Sequence, residues 1–301
     1  MMEYQHITVQ DSVWDVMAHP AFEGRGRLLF PWDEDGRYPK AMTMADAPSL
    51  LLWHTNMKAQ EMVDGINYLI DERNRGNQVL YDYYTEDEKE HDQAKRNTGL
   101  FFFRGRPGAP FAVVSAGGGF YYVGSLHGGF PPAMEINRKG YNVFVLKYRV
   151  GQGETISSRD LIAAVHFIRS NAEELHVAPD GFSLWGGSAG ARLSSNASYG
   201  EGGIRRSELI HPAAVIMAYT TFAGRPSFSA EDPAAFMIAG TNDWIVPAEH
   251  MPARAAKMRK AGIPVECTIL PGVEHGFGTG KGMKAEGWID KAVDFWERQI
   301  R

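Results

Sequence analysis

From Gln78 onward the pattern changes to short apolar runs, most of them separated by longer stretches whose apolar residues recur at helical spacing. Strand-like runs fall at 79–84, 99–103, 111–115, 141–148, 182–185, 212–219, 233–239 and 265–270. Helical stretches follow at 131–139, 158–175, 189–198, 247–261 and 285–300. In 158–175, Leu161, Ile162, Val165 and Ile168 form the apolar stripe, and Ser158 is placed to cap it. Strands separated by helices cannot pair as hairpins. The chain must cross back over the sheet each time, which predicts an α/β fold with a mainly parallel central sheet flanked by helices.

The N-terminal part reads differently. Residues 1–45 hold few strand-like runs and many Pro, Gly, Trp and Met residues, and 50–72 carries Leu51, Leu52, Met57, Met62, Ile66, Leu69 and Ile70 at near-helical spacing. Arg75-Gly76 closes that stretch. The expected organisation is an N-terminal helical arm or lid over 1–77 and a catalytic unit over 78–301.

Within this frame the stretch Leu184-Trp185-Gly186-Gly187-Ser188-Ala189-Gly190-Ala191 sets one serine among glycines, between a strand and a helix. A turn that tight tolerates only small neighbours, and it holds the hydroxyl above the carboxyl edge of the sheet. A glycine-rich turn whose serine merely caps the helix is the plainer reading, so the serine needs partners. A hydroxyl is a weak nucleophile without a base, and the base needs an orienting acid.

Of the ten histidines, His166 lies inside a helix, and His176 and His250 sit at helix ends. His275 stands in Pro271-Gly272-Val273-Glu274-His275-Gly276-Phe277, a loop leaving the carboxyl end of a strand. That is the edge on which Ser188 is expected. Asp243, just past the 233–239 run, falls on the same edge, whereas Asp232 precedes that strand and Asp290 lies in the last helix. Ser188, Asp243 and His275 are therefore the candidate nucleophile, acid and base. Ser115-Ala116-Gly117-Gly118-Gly119-Phe120 follows an early strand, and its glycines let backbone N–H groups face a cavity. The N–H of Ala189, directly after the serine, would complement these glycines in an oxyanion hole. Phe120 and Trp244 adjoin these loops and are read as substrate contacts. A phosphate cradle is the competing use of the glycines, but neither G-x-G-x-x-G nor G-x-x-x-x-G-K-[ST] occurs.

These motifs, with Leu146-Lys147-Tyr148-Arg149 and Gly240-Thr241-Asn242-Asp243, stand in the order found in one group. The chain resembles the α/β-hydrolase superfamily, in its esterase/lipase branch of acetyl-xylan-esterase-like and hormone-sensitive-lipase-like enzymes. The resemblance covers roughly residues 78 to 300. It implies an acyl-serine mechanism without a cofactor or metal, with Gly117, Gly118 and Ala189 as oxyanion donors, acting on small esters, acylated carbohydrates among them. The lipase pattern opens with His-Gly-Gly-Gly, whereas Ala116 holds the first place here, which tilts the reading toward the carbohydrate-esterase side. If the arm is a lid, Trp53, Met57 and Met62 would line an acyl or alcohol pocket; the alternative is that they simply pack on the core. A peptidase on the same scaffold is the alternative, since a triad does not distinguish ester from amide. A non-catalytic binding protein is a third reading, opposed by the presence of all three triad residues.

The partner that the resemblance implies is a small-molecule ester, with homo-oligomerisation left open, and composition speaks against nucleic acid and membrane. The formal charge of −5 arises from 31 basic and 36 acidic residues, and no basic stripe for nucleic acid is visible. No apolar run is long enough to span a membrane, and the start lacks a secretory pattern, so a cytoplasmic location is expected. The one cysteine, Cys267, sits in a strand-like run and reads as a packed thiol. Asn196-Ala197-Ser198 matches a glycosylation triplet but falls inside an expected helix.

Overall fold

The computed structural model describes residues 3–224 and 227–300. Eight strands form one sheet: β1 (Leu80–Tyr81), β2 (Gly99–Phe103), β3 (Phe111–Ser115), β4 (Asn142–Lys147), β5 (Ser183–Gly187), β6 (Ala214–Ala218), β7 (Ala234–Gly240) and β8 (Val265–Leu270). Their order is β1-β2-β4-β3-β5-β6-β7-β8. β1 to β2 and β2 to β4 are antiparallel, and every later pairing is parallel. The carboxyl ends of β3, β5, β7 and β8 consequently lie along one edge.

Both faces of the central strands are buried, which is why they read as unbroken apolar runs. Alternate side chains still divide between two cores. Phe101, Phe103, Val143 and Val145 join one cluster, while Leu100, Phe102, Phe144 and Leu146 join the other. The first face carries α1 (Val13–Met17), α2 (Ala59–Asn74), α4 (Ser125–Gly128), α5 (Phe130–Arg138) and α9 (Trp288–Gln299). The opposite face is covered by α6 (Glu154–Ser170), α7 (Ala189–Tyr199) and α8 (His250–Lys260). The charged run at 86–92 forms α3 (Glu86–His91), closed at its start by reciprocal hydrogen bonds between Thr85 and Glu88. At the far edge β8 alternates part-buried with exposed residues, and Cys267 is half-buried there.

The segment before β1 is not a separate body. Ile7, Val13, Phe22, Leu29, Phe30 and Met44 lie in the same cluster as Phe101, Val143 and Trp296. A buried charge fixes the junction: Lys147, 1 % exposed, donates Nζ to the Phe30 and Pro31 carbonyls (3.1 and 3.0 Å) and pairs with Asp33 at 3.2 Å. The boundary expected after residue 77 therefore divides the chain by pattern but not by core.

Several expected elements shift. α6 begins four residues before Ser158, whose hydroxyl donates to the Glu154 carbonyl (2.7 Å) one turn inside the helix instead of capping it. β1 stops at Tyr81, because Tyr83 and Tyr84 turn inward, their hydroxyls donating to the Lys147 carbonyl (3.0 Å) and to Asp160 (2.6 Å). The helix expected over 50–72 starts only at Ala59. Before it, residues 51–58 run without helix, and the Thr55 N–H bonds the Gly276 carbonyl at 3.1 Å.

Candidate active site

Ser188 sits between β5 and α7 with φ 53° and ψ −123°, a backbone conformation that side chains rarely adopt. The strain is held from several sides. Its N–H donates to the Ala218 carbonyl at the end of β6 (2.9 Å), and its own carbonyl accepts the Thr220 hydroxyl (2.7 Å) and the Arg192 N–H (3.1 Å). Two glycines are obligatory here. A Cβ at Gly190 would overlap the Ser115 carbonyl oxygen at the end of β3, and one at Gly186 would overlap the Gly190 backbone. Helix α7 can press against the strand ends only because neither residue has a side chain.

Asp243 follows β7 and uses both carboxylate oxygens. Oδ1 accepts the N–H groups of Ile245 (2.9 Å) and Val246 (2.7 Å), and Oδ2 accepts from His275 Nδ1 at 2.7 Å. The turn-forming role usual for an isolated loop aspartate and the orienting role thus coexist, one on each oxygen. With Nδ1–H committed to the carboxylate, His275 Nε2 is left to accept the Ser188 hydroxyl, 3.0 Å away. The His275 imidazole is 2 % exposed and the Asp243 carboxylate fully buried. The chain Ser188–His275–Asp243 can move the hydroxyl proton onto the imidazole as the oxygen attacks a carbonyl.

The His275 loop is gripped by the N-terminal segment. Thr55 donates its hydroxyl to the His275 carbonyl (2.8 Å), and His127 Nε2 donates to the Gly276 carbonyl (2.9 Å). Burial lowers the His127 pKa to about 4.

Ser188 and His275 open on a cavity of about 440 Å³, lined also by Trp53, His54, Gly118, Gly119, Tyr121, Trp244 and Ile245. Among the described residues, Tyr121, Trp244 and Ile245, with Leu52, are the exposed large apolar side chains. Among the described residues, no group of three or more His, Cys, Asp or Glu is arranged to hold a metal ion.

Solved structures share this architecture. An α/β hydrolase from a Medee basin deep-sea metagenome is 24 % identical with a TM-score of 0.58, over 67 % of this chain and 93 % of that one. A propionate-bound esterase from Thermogutta terrifontis is 20 % identical with a TM-score of 0.61, over 73 % and 93 %. The chain has the α/β-hydrolase fold.

Two family models match adjoining parts of the chain. Residues 106–207 match the BD-FAE model, and 208–301 match the prolyl oligopeptidase family. An acetylxylan esterase from Xylanibacter ruminicola is 25 % identical over 227 residues, 66 % of this chain and 47 % of that protein. The chain thus spans about half the length of this curated relative. A sugar hydrolase from Lactococcus lactis is 20 % identical with a TM-score of 0.58, over 67 % and 94 %.

The structure brings Ser188, Asp243 and His275 into contact, sets Gly118 and Trp244 in the cavity wall, and puts Ala189 at the first position of α7. An N–H at that position has no acceptor within its helix. Gly117 lies directly beside Ser188, against the Gly187 carbonyl, and Gly119 joins Gly118 in the wall. The structure corrects other expectations. Phe120 (φ 66°) turns toward the core on the α6 face, and its neighbour Tyr121 lines the cavity instead. Met62 is fully buried, and Met57 packs on the same core, so only Trp53 of the three arm residues reaches the pocket. His54, Gly119, Tyr121 and Ile245 were not assigned from sequence. The neighbours of Phe120 and Trp244 could have been weighed with them, but nothing near His54 marks it.

Proposed function

We propose that this hydrolase cleaves small carboxylic esters through an acyl-serine intermediate, with acylated carbohydrates as the substrate class. The observation that carries the reading is the hydrogen-bonded chain of 3.0 and 2.7 Å from Ser188 through His275 to Asp243, opening on the cavity. Ser188 Oγ attacks the ester carbonyl while His275 Nε2 takes its proton. The alcohol departs with that proton, and a water deprotonated by His275 then releases the acid and restores the serine. The developing oxyanion is met by the Ala189 N–H and by backbone N–H groups of the Gly118-Gly119 turn.

Similarity to an acetylxylan esterase and a sugar hydrolase supports the choice of substrate class. Wild-type protein is expected to hydrolyse p-nitrophenyl acetate and acetylated xylosides. Ser188→Ala is expected to lower kcat by a factor on the order of 10⁴–10⁶. Near-normal turnover by that variant would overturn the reading. The match of 208–301 to the prolyl oligopeptidase family favours a second reading, an amide-cleaving enzyme. Cleavage of peptide p-nitroanilides at rates comparable with the esters would decide for it.

A further inference from the structure

The cavity wall contains a second histidine that this mechanism does not use. His54 is 9 % exposed and lines the cavity with Ser188 and His275. Its ring meets His127 edge-on at 5.5 Å between centroids, and its Nδ1 stands 3.1 Å from the Tyr122 hydroxyl. The opposite ring edge, Cε1 and Nε2, lies beside Gly124, whose N–H bonds the Gly117 carbonyl at 2.8 Å.

The position of the proton on this imidazole follows from Tyr122. The phenol oxygen accepts the Trp53 N–H at 3.4 Å, and among the described residues its own hydrogen has no acceptor other than His54 Nδ1. A neutral imidazole that accepts at Nδ1 carries its hydrogen on Nε2. Burial, with His127 and His275 adding to it, holds His54 well below the usual histidine pKa, so the ring is neutral at ordinary pH. Its Nε2–H donates to no described residue. A donor left unpaired in so enclosed a place is satisfied when a ligand brings an acceptor.

We propose that His54 Nε2–H is a substrate-positioning donor that binds a hydroxyl or ring oxygen of the ester's alcohol part, and so selects polyhydroxylated alcohols. The neighbouring surface fits that ligand. Trp53 stacks on Tyr122 (5.5 Å, 17° between planes) and approaches Tyr121 at 5.9 Å, giving flat aromatic faces beside the His54 donor. A pyranose has the complementary surface, with C–H groups on its face and oxygens around its rim. The inference deepens the ester-hydrolase reading and rests on it.

The test compares kcat/KM for an acetylated methyl xyloside with that for p-nitrophenyl acetate in His54→Asn and His54→Gln. Asparagine carries its amide where Nδ1 stands and keeps a partner for Tyr122, but it cannot reach the Nε2 position. Glutamine can. His54→Asn is expected to lower the ratio of the two kcat/KM values at least ten-fold, through KM for the xyloside. His54→Gln is expected to restore most of it. Equal losses on both esters, an unchanged ratio, or no difference between the two variants would overturn the proposal. Labelling of Ser188 by a fluorophosphonate in wild type and both variants is the control. Absence of labelling in wild type would instead remove the ester-hydrolase reading beneath it.

Discussion

Thr55 donates its hydroxyl to the carbonyl oxygen of His275, at 2.8 Å across 220 positions of sequence. A residue of the N-terminal segment, outside both family-model matches, thereby helps fix the backbone of the imidazole that bonds Ser188. Thr55→Val removes that bond and keeps the branched shape and the backbone N–H bond to Gly276. One such bond is worth about 1 kcal/mol. The expected result is a fall in kcat of roughly five-fold with KM little changed, measured on p-nitrophenyl acetate. A loss confined to KM would show that Thr55 acts on the pocket wall rather than on His275.

Asp243→Asn separates the two roles of this side chain. An asparagine keeps a carbonyl oxygen for the Ile245 and Val246 N–H groups, so the turn should persist. Toward His275 it presents no charge, and it stabilises the tautomer with Nδ1 accepting and Nε2–H facing Ser188. For triads altered in this way kcat falls on the order of 10⁴. We expect that magnitude here, with the melting temperature shifted far less. Equal collapse of stability and activity would mean that the turn, not the imidazole, had been lost.

How far these arrangements could be read from sequence depended on whether a local pattern recorded them. The βα alternation fixed the class of sheet, and strand runs such as 111–115 and 265–270 match β3 and β8 because both-face burial or regular pairing leaves a local signature. Ser188, Asp243 and His275 were found because each follows a strand and all share one edge. The N-terminal segment left no such trace. Trp53, His54 and Thr55 lie in a stretch without helix whose conformation is set by bonds to residues 122, 275 and 276, far along the chain. Helical spacing in 50–72 was therefore overruled by tertiary contacts over its first third. Phe120 was misread for a related reason. A positive φ redirects its side chain, and a phenylalanine carries no signal of that conformation.

Gly190→Ala tests the packing of α7 on the strand ends. A methyl group there overlaps the Ser115 carbonyl oxygen, and backbone on both sides leaves it no room to turn away. Overpacking of this kind costs about 1–3 kcal/mol or more. The variant is expected to lose several degrees of melting temperature and most of its esterase activity, since any relief must move Ser188. Retention of both would show that helix and strand separate more freely than their bonds suggest.

His127 predicts how stability depends on pH. Its pKa is lowered to about 4 by burial, against 6.5 for the free side chain, with the Gly276 carbonyl opposing and Lys58 adding to the depression. The groups facing it are His54, edge-on at 5.5 Å, the backbone of Gly276 and Thr55, both opposing the depression, and Lys58, which adds to it. Since the folded state disfavours the proton, the unfolded chain binds more protons between pH 6.5 and 4. Stability is therefore fully present above the unfolded value and is lost as the pH falls toward the folded one. A shift of this size corresponds to about 3 kcal/mol, and His54, lowered in the same direction, adds to it. The melting temperature is expected to fall steadily from pH 6.5 to 4. In His127→Gln, which retains a donor for the Gly276 carbonyl, that fall should be visibly shallower while the value at pH 8 is lower. An identical slope in both proteins would assign the acid sensitivity to other groups.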